Sequence, residues 1–555
     1  VLVGRPYIYG LANAGALGTQ ATPGVPDVAL RNGAVLRLVA AMNVNAFVTN
    51  RLTATSNGIL LLGASNATQN VDLTGRPGIV LGSAEYTLDY GGTITPDGTT
   101  YRLGGGNATY AATPYRGLSL SNLTDNGSAS AVVIGTPGIV ELKTGNTYSG
   151  GTVVTNRGVL FLASDSLGAV PASSDPANLY VNNGVIRCGN SNFSLNVNRG
   201  VTVGAGGMEL HPWGPTNWSM TVLGNLAGVG GITTTDTGLI SFGGANNTFS
   251  GSLTVGGGCN VRIGNGANFS WGSSLSITNS GTLYLKTDTA KSFSNTVLGS
   301  GAVRKEGTGD LTLSGSQIYN GVTYVDAGAL KVAATNVLPR GSGKGVVEIA
   351  AGARLDSNGG DLLVGGLQGV GSVTNGTATA SSLYVGETNV NATFGGTVNA
   401  SLALVKIGAG TQTLTNTFGA ANNAEVRAGT LELLGSAAVT GTVTLAGGTL
   451  GVTYGTTGLI GKYYQLSAAP LTSDFVSYAA VTNFLNGKTP AVVSNSIGFG
   501  TTFNALANGS RFPSLFGTQT TSNFAALWSG LFFAPTTGVY GFATASDDGS
   551  MVFID

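Results

Sequence analysis

Charged side chains are scarce in this chain. Only 9% of the 555 residues are Asp, Glu, Lys or Arg, and the 25 basic residues equal the 25 acidic ones. A protein that binds nucleic acid or an anionic membrane carries a basic patch, because its partner is a polyanion. The composition therefore gives no indication of either partner.

Cysteine is rare and long apolar runs are missing. The two cysteines, Cys188 and Cys259, are too few for the disulfide framework of a small secreted domain. No run of 18 apolar residues suggests a membrane-spanning helix, and the chain begins at Val1 without a signal peptide. We expect the sequence to be an internal piece of a longer polypeptide, with no membrane-inserted segment.

Glycine is abundant instead, at 90 residues, beside an apolar content of 42%. A glycine bias is typical of disordered, low-complexity chains. Here, however, Val, Leu and Ile recur at regular intervals, so successive segments can bury apolar area against one another. The chain is therefore predicted to be folded.

One phrase recurs along the chain with substitutions. Its first copy is GNTYSGGT at 145–152, continued by GVLFL at 158–162. Further copies are GANNTFSG at 244–251, GSQIYNG at 315–321, VDAGALKV at 325–332 and VRAGTLEL at 426–433. Fixed phrases that recur along a chain indicate a repeat architecture.

A second phrase is interleaved with the first. It has two apolar residues separated by one other residue, then a glycine, and then a further apolar residue. Neighbouring glycines of the two phrases lie 26 residues apart from Gly158 to Gly184, 24 from Gly328 to Gly352 and 19 from Gly429 to Gly448. Within each phrase apolar and polar residues alternate, as in half-buried strands, and glycine permits the corners between strands. The spacing predicts a parallel β-solenoid whose turns stack at about 4.8 Å.

These phrases resemble the passenger-associated transport repeats, also called autotransporter-associated β-strand repeats. The resemblance rests on residues 145–162, their copies, and the segments KEGTGDLTL at 305–313 and VKIGAGT at 405–411. It implies a right-handed parallel β-helix over residues 131–455 of a secreted or surface-displayed bacterial protein, and it does not imply an enzyme. Residues 1–130 are predicted to form divergent circuits of the same helix or a cap.

The composition changes near residue 456, where Tyr, Phe and Pro become frequent and glycine thins out. The segments GLIGKYY at 458–464, WSG at 528–530, APTTGVYGF at 534–542 and SDDGSMVFID at 546–555 resemble the protective-antigen-type domain. That family implies a β-sandwich, often a glycan-binding module. Residues 456–555 are predicted to be its first part, truncated at Asp555.

The same resemblance matches Asp547 and Asp548 to a pair that holds calcium in glycan-binding members of the family. Adjacent carboxylates on a tight turn supply two oxygen ligands to a calcium ion, and sugar hydroxyls would complete the shell. The alternative is a structural Asp-Asp-Gly turn between two strands. Calcium is the expected cofactor only in the first case.

An insert at 206–218 contains His211, the only histidine, and two of the four tryptophans. Trp213 and Trp218 on an exposed loop would stack against sugar rings. The alternative is a hydrophobic plug that covers one side of the solenoid. His211 has no apparent partner for a catalytic triad or a metal site.

Paired asparagines occur at several predicted corners, such as Asn246 and Asn247. In a solenoid, asparagine side chains at equivalent corners can hydrogen-bond along the axis as a ladder. We expect these residues to be structural.

The sequence is compatible with two functions. The first is a non-enzymatic, secreted or cell-surface adhesin, in which a β-helical stalk displays a glycan-binding module. The second is a structural subunit of an extracellular fibre or matrix that self-assembles through its solenoid, which the low net charge permits. Catalysis is not expected, because the strand carboxylates share no evident phase. They are Glu141, Asp165, Glu306, Asp310, Glu348 and Asp356.

Overall fold

The structure, a computed structural model, is described here over the greater part of the chain. The described residues are 2–3, 8–11, 25–38, 42–106, 115–189, 192–212, 218–272, 276–377, 379–399, 401–416, 423–434, 437, 439, 441–453, 459–465, 478–485, 488, 492–497 and 524–529. They fall into two compact units. The first comprises Val1–Glu432 and Ala438–Gly451, and the second Leu433–Ala437 and Val452–Asp555.

The first unit is a parallel β-solenoid, and the described residues form about 18 turns and contain only 4% helix. This confirms the predicted all-β solenoid. An α-helix covers Val44–Asn50 and is capped by Asn43, whose side chain accepts a hydrogen bond from the Ala46 amide. The helix buries Val44, Phe47 and Val48. A short 3-10 helix covers Ala64–Asn66.

Five stacked sheets build the solenoid, and we number them by their first appearance in the chain. Sheet 1 has ten strands: Ile8–Leu11, Val35–Leu38, Ile59–Leu62, Val80–Ser83, Thr100–Gly106, Ala131–Thr136, Thr152–Thr155, Asp175–Asn182, Arg199–Val203 and Leu226–Gly228. Sheet 2 also has ten: Thr87–Tyr90, Gly117–Leu120, Gly138–Leu142, Gly158–Leu162, Gly184–Cys188, Met208–Pro212, Ile232–Thr234, Leu253–Val255, Ser276–Asn279 and Thr296–Leu298.

Sheet 3 is the longest, with thirteen strands: Phe193–Leu195, Ser219–Val222, Leu239–Phe242, Asn260–Gly266, Thr282–Thr287, Ala302–Glu306, Thr323–Val325, Val347–Ile349, Leu367–Gly369, Ala392–Phe394, Thr411–Leu414, Thr430–Leu434 and Thr449–Thr453. Sheet 4 has six: Lys291–Phe293, Asp310–Leu313, Ala329–Val332, Arg354–Asp356, Ser372–Thr374 and Thr397–Val398. Sheet 5 has five: Leu362–Val364, Ser381–Val385, Leu402–Lys406, Ala424–Val426 and Val443–Leu445. Two small parallel pairs, Leu2–Val3 with Ala29–Leu30 and Val71–Asp72 with Ile94–Thr95, complete the unit.

Each turn places its strands on successive sheets. In the middle of the solenoid the chain passes from sheet 1 at Arg199–Val203 to sheet 2 at Met208–Pro212 and sheet 3 at Ser219–Val222. Later turns follow sheet 3 with sheet 4 and then sheet 5, as in Arg354–Asp356 and Leu362–Val364. Turns of two or three strands account for the predicted circuit of about 19 to 26 residues.

The interior is built from columns of equivalent apolar residues. One column of sheet 1 consists of Leu36, Leu60, Leu81, Leu103, Ile134 and Val154, each paired with the next and none more than 1% exposed. Full burial of such a side chain stabilises the fold by about 1.5–3 kcal/mol. Because each turn buries its column against neighbouring turns, stability accumulates along the axis.

The recurring phrase has a fixed interior role. Tyr148 and Tyr319 occupy equivalent places, are fully buried, and place their hydroxyls 2.6 Å from the hydroxyls of Thr152 and Thr323, four residues later. The copy at 244–251 has Phe249, and its residue four positions later is Leu253. The copy that lacks the tyrosine hydroxyl therefore also lacks the threonine hydroxyl. This is expected, because either hydroxyl buried without the other would be an unpaired polar group.

Two lysines of the repeat also point inward. Lys305 continues an apolar column between Leu285 and Val325. It is 1% exposed, and its Nζ donates to the carbonyls of Gly307 and Ala327 at 2.5 and 2.9 Å. Burial lowers the pKa of Lys305 to about 8, although nearby carboxylates act in the opposite direction.

Lys406 repeats this arrangement on sheet 5. Its Nζ donates to the carbonyls of Ile407, Gly408 and Ala428 at 2.6, 2.8 and 3.1 Å, and burial again lowers the lysine pKa. Gly429, which follows Ala428, has φ +62°, and a Cβ there would lie 2.4 Å from the Gly408 carbonyl oxygen. The corner therefore requires glycine.

The corner asparagine Asn247 braces adjacent turns by bonding to their backbone groups. The Asn247 Oδ1 accepts from the Leu226 amide at 2.7 Å, and its Nδ2 donates to the Ser270 carbonyl at 2.7 Å. At a corner the backbone leaves the strand, so the backbone N–H and C=O groups of neighbouring turns lack ladder partners there. The side-chain amide of an asparagine can both accept from such an N–H group and donate to such a C=O group.

The second unit differs in its strand pairing. Its described strands form an antiparallel sheet in which Leu459–Gln465 lies between Val492–Ile497 and Phe524–Ser529. Gly461 pairs with Trp528, so two of the segments that resemble the protective-antigen-type domain are neighbours in this sheet. A helix covers Tyr478–Leu485. The β-sandwich stays a prediction.

Candidate functional site

The residues predicted from sequence to bind ligands lie largely outside the described part of the chain. Asp547, Asp548 and Trp213 are all outside it. Trp218 is described and half-buried, and its carbonyl accepts a hydrogen bond from the Leu239 amide at 2.9 Å. The choice between a sugar-stacking loop and a hydrophobic plug therefore stays a prediction.

His211 has more neighbours than its sequence context indicates. Its Nδ1 lies 2.7 Å from the Thr235 hydroxyl and 3.3 Å from Asp236 Oδ2, and its Nε2 lies 3.5 Å from Glu209 Oε2. Burial lowers the His211 pKa against the opposing effect of Asp236. The Thr235 hydroxyl also lies 3.3 Å from Nε2, so the ring is surrounded by one hydroxyl and two carboxylates that the sequence did not bring together.

Five of the six carboxylates considered from the sequence make structural contacts. These are Glu141 with Ser119 Oγ at 2.5 Å, Asp165 with Arg199 at 2.7 Å, Glu306 with Arg262 at 2.9 Å, Asp310 with Lys331 at 2.9 Å and Asp356 with the Gly376 amide at 2.8 Å. The carboxylate of the sixth, Glu348, makes no hydrogen bond or ion pair within the described ranges, and its side chain lines a groove.

The outer face of sheet 3 carries a ladder of polar and aromatic residues. Successive rungs are Thr221, Ser241, Arg262, Tyr284, Arg304, Tyr324, Glu348 and Gln368. Arginine and tyrosine alternate in its middle. The Arg262 guanidinium lies 5.3 Å from the Tyr284 ring centroid, and that of Arg304 lies 4.0 Å from Tyr324. Such stacking holds the tyrosine rings in place.

Both arginines of the ladder are neutralised. Arg262 pairs with Glu306 at 2.9 Å, and Arg304 pairs with Asp326 at 2.6 Å. These pairs are partly exposed, so each contributes little to stability. Their effect is to leave no uncompensated positive charge beside Tyr324.

A polar groove of about 570 Å³ continues the ladder toward the C-terminal end of sheet 3. It is lined mainly by acceptor and hydroxyl side chains: Glu348, Gln368, Asn391, Thr393, Thr413 and Glu432. The Thr413 hydroxyl donates to Glu432 Oε2 at 3.1 Å, and Asn391 Oδ1 accepts from the Thr411 amide at 2.8 Å. The volume is that of a small-molecule site.

The groove is acidic, because its lining includes two carboxylates and no Lys, Arg or His. Within the described residues, no group of three or more His, Cys, Asp or Glu is placed to hold a metal ion. The same part of the chain has no helix long and apolar enough to cross a membrane.

The sequence did not predict this groove. Glu348 and Glu432 are 84 residues apart, and the variable circuit length hides the fact that both face outward on sheet 3. The signal that was present is the polar residue between two apolar ones in VEI at 347–349 and LEL at 431–433.

Part of the chain is similar to a known adhesin. The chain is 39% identical over 129 residues to the adhesin BmaC autotransporter of Brucella suis biovar 1 (strain 1330). The matched part is 23% of this chain and 4% of that protein. No protein-family model matches the chain, and no solved structure matches it. The fold and this similarity together fit a protein with autotransporter-associated repeats.

Proposed function

We propose that the chain is a non-enzymatic, secreted or cell-surface adhesin. Its solenoid is the stalk, and residues 456–555 are part of a glycan-binding module that the stalk displays.

The observation that carries the proposal is the parallel stacking of the solenoid strands over the described residues. About 18 turns spaced at about 4.8 Å give a stalk on the order of 90 Å. A rod of this kind suits the display of a binding module away from a cell surface. The similarity to an autotransporter adhesin supports the same function.

The finer part of the proposal concerns the ligand. Asp547 and Asp548 would hold a calcium ion that coordinates sugar hydroxyls, as the resemblance to the protective-antigen-type domain implies. Trp213 and Trp218 would add stacking contacts to a glycan. Both assignments rest on the sequence.

The test is adhesion of beads that carry the full chain to surfaces coated with defined glycans, in calcium and in EDTA. We expect adhesion in calcium, and a reduction of about tenfold or more in EDTA or in Asp548→Asn, because a lost metal ligand removes a direct sugar contact. Asp97→Asn is the control, since it keeps the side-chain oxygen that accepts from the Gly75 amide. Wild-type adhesion that is equal in calcium and in EDTA, or equal adhesion of Asp548→Asn and the wild type in calcium, would exclude the calcium site.

The second candidate is a self-assembling fibre or matrix subunit. The observation in its favour is the balance of 25 basic and 25 acidic residues, which leaves little long-range repulsion between copies. Electron microscopy of the full chain separates the two functions. Ordered fibres that persist in EDTA would favour the subunit, and dispersed rods would favour the adhesin.

A further inference from the structure

We propose that the polar groove on the outer face of sheet 3 is a second glycan-binding site, built into the stalk itself. Its ligand class is a neutral oligosaccharide, bound without calcium. This inference rests on the proposed adhesive function and deepens it, because it names a second surface and a different mode of recognition.

The lining has the hydrogen-bonding chemistry that a sugar requires. Each sugar hydroxyl both donates and accepts, so a site must offer both kinds of group. Glu348 accepts, and the side chains of Gln368 and Thr393 do both. Asn391 uses its Oδ1 on the Thr411 amide, which leaves its NH₂ group for a ligand. These groups project from adjacent rungs, about 4.8 Å apart, a spacing comparable to the length of one pyranose ring.

An aromatic platform stands beside the groove. Tyr324 pairs with Glu348, the first residue of the lining, across one rung. The Arg304 guanidinium covers the ring face on the preceding rung, at 4.0 Å from the centroid. We infer that the sugar packs on the opposite face of Tyr324. Aromatic faces pack well against the C–H face of a sugar ring.

The charge of the groove selects among sugars. Glu348 and Glu432 line it without a basic side chain, and Arg304 is already paired with Asp326. A uronate or sialic acid would place a third carboxylate beside these two, and repulsion between like charges disfavours that. Neutral sugars meet no such penalty.

Other ligands fit less well. A protein partner requires a buried apolar or aromatic anchor, and the lining is dominated by carboxylate, amide and hydroxyl groups. A divalent cation requires about six oxygen ligands, and the described residues offer no cluster of three candidate side chains. A neutral polyhydroxylated chain matches both the polarity and the volume of the groove.

The test is calorimetric titration of the full chain, in EDTA, with a panel of neutral oligosaccharides and with matched chains that carry uronic acids. We expect at least one neutral chain to bind and its uronate counterpart to bind about tenfold more weakly or not at all. EDTA silences any calcium-dependent module, so a signal in this assay comes from another surface.

Matched variants locate that surface. Thr393→Lys fills the groove from an exposed strand position and is expected to weaken binding about tenfold or more. Thr221→Lys makes the same change on the same ladder outside the groove and should leave the affinity unchanged. Glu348→Lys should shift the preference toward the uronate chains.

The proposal is overturned if no neutral chain binds in EDTA, or if Thr393→Lys binds like the wild type. Thermal melting of each variant identifies misfolding. If no neutral chain binds in EDTA but calcium-dependent adhesion is intact, the groove proposal fails and the proposed adhesin function stands. If a neutral chain binds in EDTA but the protein shows no adhesion, the proposed adhesin function fails and the groove proposal stands.

Discussion

Three strands of sheet 2, Gly138–Leu142, Gly158–Leu162 and Gly184–Cys188, resemble the strands of sheet 3 inside the solenoid and differ from them outside it. The outer residues Ile139, Val159, Phe161 and Val185 of sheet 2 are at most 5% exposed and form an apolar cluster against which Tyr115 packs. The outer ladder of sheet 3 is polar, aromatic and partly exposed. One outer face therefore serves stability, and the other is available to a ligand.

A pair of glutamates shows the same contrast. Glu141 on the outer face of sheet 2 is 2% exposed, accepts from Ser119 Oγ at 2.5 Å and lies 3.5 Å from Arg116. Glu348 on the outer face of sheet 3 lines the groove. The repeat fixes which residues point inward, but it leaves the outer residues free to differ. Function on a solenoid is consequently read from its outer faces.

The largest expected effect is a difference in the free energy of unfolding lost when a ring is removed from each of the two outer faces. Phe161→Ala removes a buried ring from the cluster and should lower the free energy of unfolding by about 3–5 kcal/mol. Tyr324→Ala removes a partly exposed ring and should cost about 1 kcal/mol or less. Urea unfolding followed by circular dichroism measures both. Equal losses would mean that the outer face of sheet 3 is also a packing surface.

A smaller effect is expected from the buried hydroxyl pair of the repeat. Thr323→Val should cost about 1–2 kcal/mol, because it leaves the Tyr319 hydroxyl unpaired. Adding Tyr319→Phe should restore most of that loss, since the copy with Phe249 and Leu253 has neither hydroxyl. The same unfolding assay applies. Strictly additive losses in the double variant would show that the two hydroxyls do not interact.

The smallest expected effect is a dependence of stability on pH. The pKa of Lys305 is lowered to about 8 by burial, whereas an exposed lysine has a pKa of about 10.4. Between these values the unfolded chain binds more protons, so the free energy of unfolding should rise with pH from about 8 to about 10. Below that window the cost of burying the charge is fully present.

Lys305→Met should lose this dependence, while the exposed Lys291→Met should keep it. The comparison requires unfolding curves of the three proteins at several pH values within the window. Parallel pH profiles for the wild type and Lys305→Met would contradict the assignment.

Much of the fold follows from the sequence because the interior repeats. Alternating residues and glycine spacing predicted parallel turns, and the copies of the phrase place Tyr148 and Tyr319 at equivalent interior positions. The role of Lys305 was not predicted, because the period-two pattern favours a solvent-facing lysine and says nothing of corner carbonyls that need a donor.

The candidate site could not be predicted from the sequence, for a related reason. Its residues come from turns of unequal length, so their common face is visible only once the strands are paired. The sequence also drew attention to Asp547, Asp548, Trp213 and Trp218, where motif and composition stand out. The groove between Glu348 and Glu432 is built from ordinary polar residues and has no such motif.

The most direct measurement is an experimental structure of the full chain in complex with a neutral oligosaccharide that binds in EDTA. Our account predicts sugar density on the outer face of sheet 3, against Tyr324 and in contact with Glu348 and Thr393. Density confined to any other surface would contradict the assignment of this face to ligand recognition.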